Sequence, residues 1–234
     1  MEGRLTARRG ENVLALIGIP AAVLLFFGSV ELVPVPTGQT RIEVLLPGTL
    51  ALAVIAAGLV NLGIATAYER AYGVLKRLGG SPLGRTGLIT AKLATVLLVE
   101  VGVAIVLVLL ATAVLGWRPP PSTSWPTVAL VLIVGTAAFA GLGLALAGTL
   151  RAEATLTLAN ALFIACLLLG GVVVPVDHLG EPLATISRLL PAAALSDAFR
   201  AALGGGNELA EPLAVLVAWA VGALLVSLRW FRWE

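Results

Sequence analysis

Charge is scarce in this sequence. Asp, Glu, Lys and Arg make up 12% of it, while hydrophobic residues make up 59%. A soluble domain carries about 25% charged residues, because water must solvate its surface. The chain therefore reads as an integral membrane protein. Cysteine is almost absent: Cys166 stands alone inside an apolar run, which excludes an intramolecular disulfide and a multi-cysteine metal site. It reads as a small buried apolar residue. The single His, His178, argues against a histidine-rich site and reads as a polar residue at headgroup level. A net charge of +2 is too small to point to nucleic acid.

Chemical motifs are missing as well. There is no Gly-x-x-x-x-Gly-Lys-Ser/Thr phosphate loop, and the nearest glycine-rich piece, Gly79-Gly80-Ser81-Pro82-Leu83-Gly84-Arg85, has the wrong order. His-Glu-x-x-His and Gly-x-Ser-x-Gly are absent, and no paired intramembrane carboxylates mark a proton relay. An enzyme, or a pump that binds its own ATP, is not expected. No metal or cofactor site is expected in this chain.

Long apolar runs are what the sequence does have. A span needs about 20 apolar residues. Six candidates follow: Val13–Val30, Val44–Ala67, Ile89–Leu115, Thr127–Leu150, Thr155–Val174 and Pro212–Leu228. The first is too long for a cleaved signal peptide and lacks an Ala-x-Ala-like site before Glu31. With the N-terminus inside, Arg4, Arg8, Arg9, Arg70, Lys76, Arg77, Arg85, Lys92, Arg151, Arg229 and Arg232 are cytoplasmic, eleven of the 15 Lys and Arg. Arg41, Arg118, Arg188 and Arg200 are outside. The positive-inside bias places both termini in the cytoplasm. Trp117 and Trp125 at the second outer loop, and Trp230 and Trp233 at the last span, read as interfacial anchors. Pro119, Pro120 and Pro121 keep that outer loop extended. No internal repeat is evident, so residues 1–234 read as one transmembrane domain without a nucleotide-binding domain.

The most informative stretch is Tyr68–Lys92, YERAYGVLKRLGGSPLGRTGLITAK, where Arg70, Lys76, Arg77, Arg85 and Lys92 crowd between two apolar runs. Hydrocarbon cannot hold it. Tyr72, Leu75 and Leu78, at spacings of three, share one side of a helix, and Gly79, Gly80 and Pro82 end that helix. The plain alternative is a solvated loop obeying the charge rule, which explains the charges but not the apolar stripe or its sharp stop.

Three groups of residues resemble the membrane subunits of type-2 ABC exporters, which include multidrug and antibiotic exporters and polysaccharide transporters. Ile19-Pro20 with Leu24-Leu25-Phe26-Phe27-Gly28 is similar to the first span of that family. Glu69-Arg70-x-x-Gly73-x-Leu75-Lys76-Arg77-Leu78, then Ser81-Pro82-Leu83 and Lys92, resembles its cytoplasmic coupling segment. Gly170-Gly171-Val172-Val173-Val174-Pro175, then Leu190-Pro191 and Asp197-Ala198-Phe199-Arg200, resembles its outer hairpin before the last span. The drug-exporter branch is the closer one. The family usually has a longer interfacial helix before the first span. Here only residues 1–12 precede it, which puts in doubt any ATPase contact made there.

The resemblance implies an all-α membrane protein with six transmembrane helices, a cytoplasmic coupling helix within residues 68–92, and a re-entrant outer hairpin within 174–211. It implies two permeases, identical or related, and two separate ATPase subunits that hold ATP and Mg. Glu69, Arg70, Lys76 and Arg77 would make charge-assisted contacts with the ATPase, and Tyr72, Leu75 and Leu78 would supply an apolar face. The chain would sit in a prokaryotic inner (plasma) membrane; its high Ala, Gly, Val, Leu and Arg usage fits a GC-rich source. The substrate would be hydrophobic or amphipathic: a drug, an antibiotic or a lipid. The alternative function is a non-transporting immunity or assembly factor on the same scaffold, and a neighbouring ATPase gene would separate the two.

Further pathway or gate candidates are Asn61, Glu100, Asn160, Pro175, Asp197 and Arg200. Glu100 lies deep in an apolar run, at a cost of roughly 2.5–3.5 kcal/mol on insertion scales. It either lines the pathway and favours a cationic group, or is a packing residue paired with Asn61, Thr95 or Asn160. Asn61 and Asn160 read more readily as bridges between helices. Gly141, Gly143 and Gly148, with Ala137, Ala140 and Ala145, would let the fourth span pack closely, while Gly58 and Gly63 would equally serve a dimer surface. Asp177, His178, Glu181 and Arg188 belong to the outer hairpin, and Asp197 and Arg200 form an i,i+3 pair there.

Overall fold

The computed structural model describes residues 2–30, 38–75, 84–171, 180, 183–204 and 208–230, and every regular element among them is helical. Eight helices lie wholly within the described residues: α1 (Glu2–Ser29), α2 (Arg41–Ala71), α3 (Gly84–Ala113), α4 (Trp125–Thr149), α5 (Ala152–Leu169), α6 (Leu183–Arg188), α7 (Pro191–Ala202) and α8 (Ala210–Trp230). Five are long and apolar enough to cross a membrane: α2, the Thr86–Ala113 part of α3, α4, α5 and α8; Leu16–Ser29 is a shorter apolar helix. Residues 2–12, expected as a separate interfacial segment, continue without a break into the first apolar run as part of α1.

The start of α2 is fixed by local chemistry. Thr40 N donates to Glu43 Oε2 at 2.7 Å, and Glu43 N donates to Thr40 Oγ1 at 3.4 Å. This reciprocal cap satisfies amides that would otherwise be left open at the first turn. It begins the helix three residues before the apolar run that starts at Val44. In its middle, Ala56–Leu62 is π-helical, a wide turn that places Gly58 and Asn61 differently from a regular helix.

That turn lies on α4. A Cβ at Gly143 of α4 would fall 2.4 Å from Gly58 O, and one at Gly58 would fall 2.7 Å from Ala140 N. Both positions admit only hydrogen. Gly63 also faces Gly143, so the small residues of α2 serve a contact inside the chain. On its other side α4 packs along α8, where a Cβ at Gly141 would be 3.1 Å from that of Ala223. Lipid gives apolar helices no hydrophobic reason to associate, so close contact between small residues supplies the attraction.

The helices around this centre are apolar on every face. α3 turns Glu100, Val103, Leu107 and Ala111 inward and leaves Leu98, Ile105 and Leu109 exposed. Such exposure would be a liability in water; in a bilayer it is the lipid-facing surface. Within the stretch expected as a hairpin, two helices are described: α6 and α7, separated at Leu189-Leu190, with Pro191 opening α7. α7 is sunk in the bundle, packed on α2, α4, α5 and α8. Trp219 Nε1 of α8 donates to Leu189 O at 3.0 Å and satisfies the chain break. Ser124 N donates to Ala202 O at 2.9 Å and fastens the other end of α7 to the start of α4.

Gly143→Ala is expected to cost about 1–3 kcal/mol through forced separation of α2 and α4. Gly102→Ala, where no atom lies within 4 Å of the new Cβ, should cost nothing. Thermal unfolding of both variants in lipid nanodiscs checks the contrast.

Candidate functional site

At the end of α2, Tyr68–Ala71 is the last turn of the membrane helix itself rather than part of a separate one. Gly73 then takes φ +70, a left-handed conformation that side chains with a Cβ avoid. The helix therefore stops between Tyr72 and Leu75, and the two no longer share a face. Tyr72 is 76% exposed, whereas Leu75 is fully buried among Leu62, Leu88, Ile89 and Leu144. The charges turn inward as well. Lys92 Nζ donates to Glu69 Oε2 at 2.6 Å, joining α2 to α3. The Arg70 guanidinium donates to Leu150 O, joining α2 to the α4–α5 turn. Of the four expected docking residues that are described, Tyr72 is the most open, the Glu69 side chain stays 38% exposed beside Lys92, and Leu75 is buried. Lys76, Arg77 and Leu78 lie outside the described residues.

In the middle of the bundle, Asn61 sits in the π-helical turn and borders two cavities of about 410 and 420 Å³. One runs between α1, α2 and α3 toward Glu69 and Lys92. The other is walled by α1, α2 and Phe163 of α5, almost wholly apolar apart from Asn61. Asn160 does not reach them; its Nδ2 donates to Leu156 O at 2.8 Å, one turn back on α5. Glu100 is 2% exposed, and its partner is Thr136 of α4 rather than Asn61, Thr95 or Asn160. Glu100 points between α3 and α4, so it is reached by neither cavity as a wall. Its Oε1 has no hydrogen-bond partner among the described residues.

At the opposite end, Arg200 of α7 is 6% exposed. It binds Asp197, as the i,i+3 spacing predicts, and Nη2 donates to Gly171 O at 3.0 Å. Arg200 thus ties α7 to the chain leaving α5. Beside it is a cavity of about 320 Å³, which Glu43, Trp117 and Gly204 help to line. Trp117 departs from its expected role as an interfacial anchor. It is 5% exposed, packed in the core, and its Nε1 has no acceptor among the described residues. A buried donor left so costs about 1–3 kcal/mol. Trp125 and Trp230 are exposed, as anchors should be. Pro175 and His178 lie outside the described residues.

Sequence reasoning missed Thr136 and Glu43. A threonine within an apolar run carries no sign of its partner. Glu43 did carry one, since Thr40 stands three residues before it in the pattern of a reciprocal cap.

Arg200→Gln removes one member of a buried ion pair and should cost about 3–5 kcal/mol. Adding Asp197→Asn should recover part of that loss, because the carboxylate that faced Arg200 is then neutral. Unfolding midpoints of the single and double variants test this coupling.

A search of curated proteins finds no match to the chain, and neither does a search of solved structures. The family model for the ABC-2 type transporter matches residues 3–203, from α1 to the end of α7. The family carries association with ABC ATPase subunits and a multi-pass place in the membrane, and the chain belongs to it as an ABC-2 type transporter permease.

Proposed function

We propose that the chain is the permease of an ATP-driven exporter for a hydrophobic or amphipathic substrate such as a drug, an antibiotic or a lipid. The observation that carries this reading is the apolar cavity walled by α1, α2 and α5, with Asn61 as its polar point. An apolar cavity with few polar groups is the usual form of a site for such molecules. Two permeases, identical or related, pair to complete the pathway. Two separate ATPases bind beneath and supply ATP and Mg, and this chain does no chemistry. Export, rather than import, is favoured because the chain lacks the loop signature of binding-protein-dependent importers.

The Lys and Arg distribution favours a cytoplasmic side for residues 68–92 and for both termini, with α1 as a sixth span; the cell is a prokaryotic one in this reading. Tyr72, Lys76 and Arg77 then meet the ATPase. Glu69 and Arg70 act one step back, holding α2 to its neighbours so that movement of the docking segment reaches the spans.

Co-expression with an ABC ATPase encoded beside this gene, followed by purification through a tag on this chain, tests the assembly. A complex with stimulated ATP hydrolysis is the expected result. Recovery of the permease alone would favour a non-transporting membrane protein. Within the complex, the double charge reversal Lys76→Glu and Arg77→Glu should abolish co-purification of the ATPase. Glu100 is bonded to Thr136 and lines neither cavity, so Glu100→Gln should leave export of cationic and neutral compounds alike unchanged in vesicle transport assays; a selective loss of cation export would put Glu100 in the pathway.

A further inference from the structure

We propose that the cavity between α1, α2 and α3 holds a phospholipid of the bilayer by its headgroup, and that it selects ethanolamine over choline. The cavity adjoins the apolar one that carries the exporter reading, but its ligand is resident rather than carried and does not depend on that reading. Its volume, about 410 Å³, suits a headgroup and the first part of the chains. Ala65, Ala91 and Thr95 on its wall are exposed, so it is an open crevice rather than a sealed void.

Three features of its walls define the ligand. Lys92 and Glu69 line the crevice where α2 ends, and their side chains are 14% and 38% exposed. An ammonium has three donors and a carboxylate two acceptor oxygens. Their mutual bond, at 2.6 Å to Oε2, uses one of each. Among the described residues, neither the other two hydrogens of Lys92 Nζ nor Oε1 of Glu69 is engaged. The pair therefore offers donors to a phosphate and, beside them, an acceptor to a primary ammonium. These are the two charges of an ethanolamine headgroup; a quaternary choline has no N–H to give to Glu69. Asn61 is the second feature. It enters the wall from the π-helical turn, a geometry frequent at functional sites, and its carboxamide makes no hydrogen bond among the described residues. An amide left so at membrane depth is costly, and the ester carbonyls of a phospholipid supply an acceptor. Leu16, Leu62 and Val96 complete the wall with an apolar surface for the chains.

The experiment uses the full chain in detergent, without ATPase, titrated with dioleoyl phosphatidylethanolamine or dioleoyl phosphatidylcholine; native mass spectrometry counts the bound lipid. The ethanolamine lipid should bind about tenfold more tightly, the worth of one charged hydrogen bond. Glu69→Gln keeps an acceptor for Lys92 but turns an amide N–H toward the ligand where the free oxygen stood. It should lower the ethanolamine lipid to the level of the choline lipid and leave the latter unchanged. Ala91→Phe fills the crevice from an exposed position, away from the ion pair, and should weaken both lipids. Equal affinity for the two lipids in the unaltered chain overturns the proposal, and that comparison needs no variant to fold. Undiminished preference for ethanolamine in folded Glu69→Gln, or undiminished binding in folded Ala91→Phe, overturns it too. Because no transport is measured, failure of this site and failure of the exporter reading are separate results.

Discussion

The contact of Gly58 with Gly143 governs the rest of the structure. It brings α2 and α4 to backbone distance, and both helices are largely buried as a result. α8 lies on the far side of α4, α7 wedges between them at one end, and α3 lines up its Glu100 with Thr136. In lipid the apolar side chains on these helices gain nothing by meeting one another rather than acyl chains. Without a close approach at the centre, the outer helices would have no fixed surface on which to settle. The π-helical turn belongs to this constraint, since it holds Gly58 against α4 while carrying Asn61 along the wall of the two cavities.

The polar contacts then act as fasteners around that centre. Each joins elements distant in sequence: Lys92 to Glu69, Arg70 to the α4–α5 turn, Arg200 to Gly171, Trp219 to the break before α7. Several satisfy a backbone carbonyl that a helix end or chain break would leave open, which is costly at membrane depth. The break between α6 and α7 and the end of α7 are served in this way.

Much of the fold was legible because hydropathy and helix length report directly on the bilayer. Pro191 marked the break in the hairpin, and the Asp197 and Arg200 pair followed from helix geometry. Boundaries were less legible. α2 starts earlier than its apolar run because of a cap, and α5 stops at Gly170 although the apolar sequence continues. The inward or outward direction of side chains was least legible, because apolar residues cover every face of these helices. Trp117 and Trp125 look alike in sequence, yet one is core and the other surface. Leu75 and Tyr72 were separated by a single glycine conformation. Glu100 announced itself as costly, but its partner depended on which helix stood beside it.

The two bonds at the end of α2 have a mechanical consequence. Glu69 and Arg70 are consecutive, and one grips α3 while the other grips the turn between α4 and α5. The last turn of α2 is thereby braced in two directions just before Gly73 releases the chain from helical geometry. Beyond Gly73 the chain is held again, by Leu75 buried among Leu62, Leu88, Ile89 and Leu144. A load applied there would be shared among four helices instead of bending one.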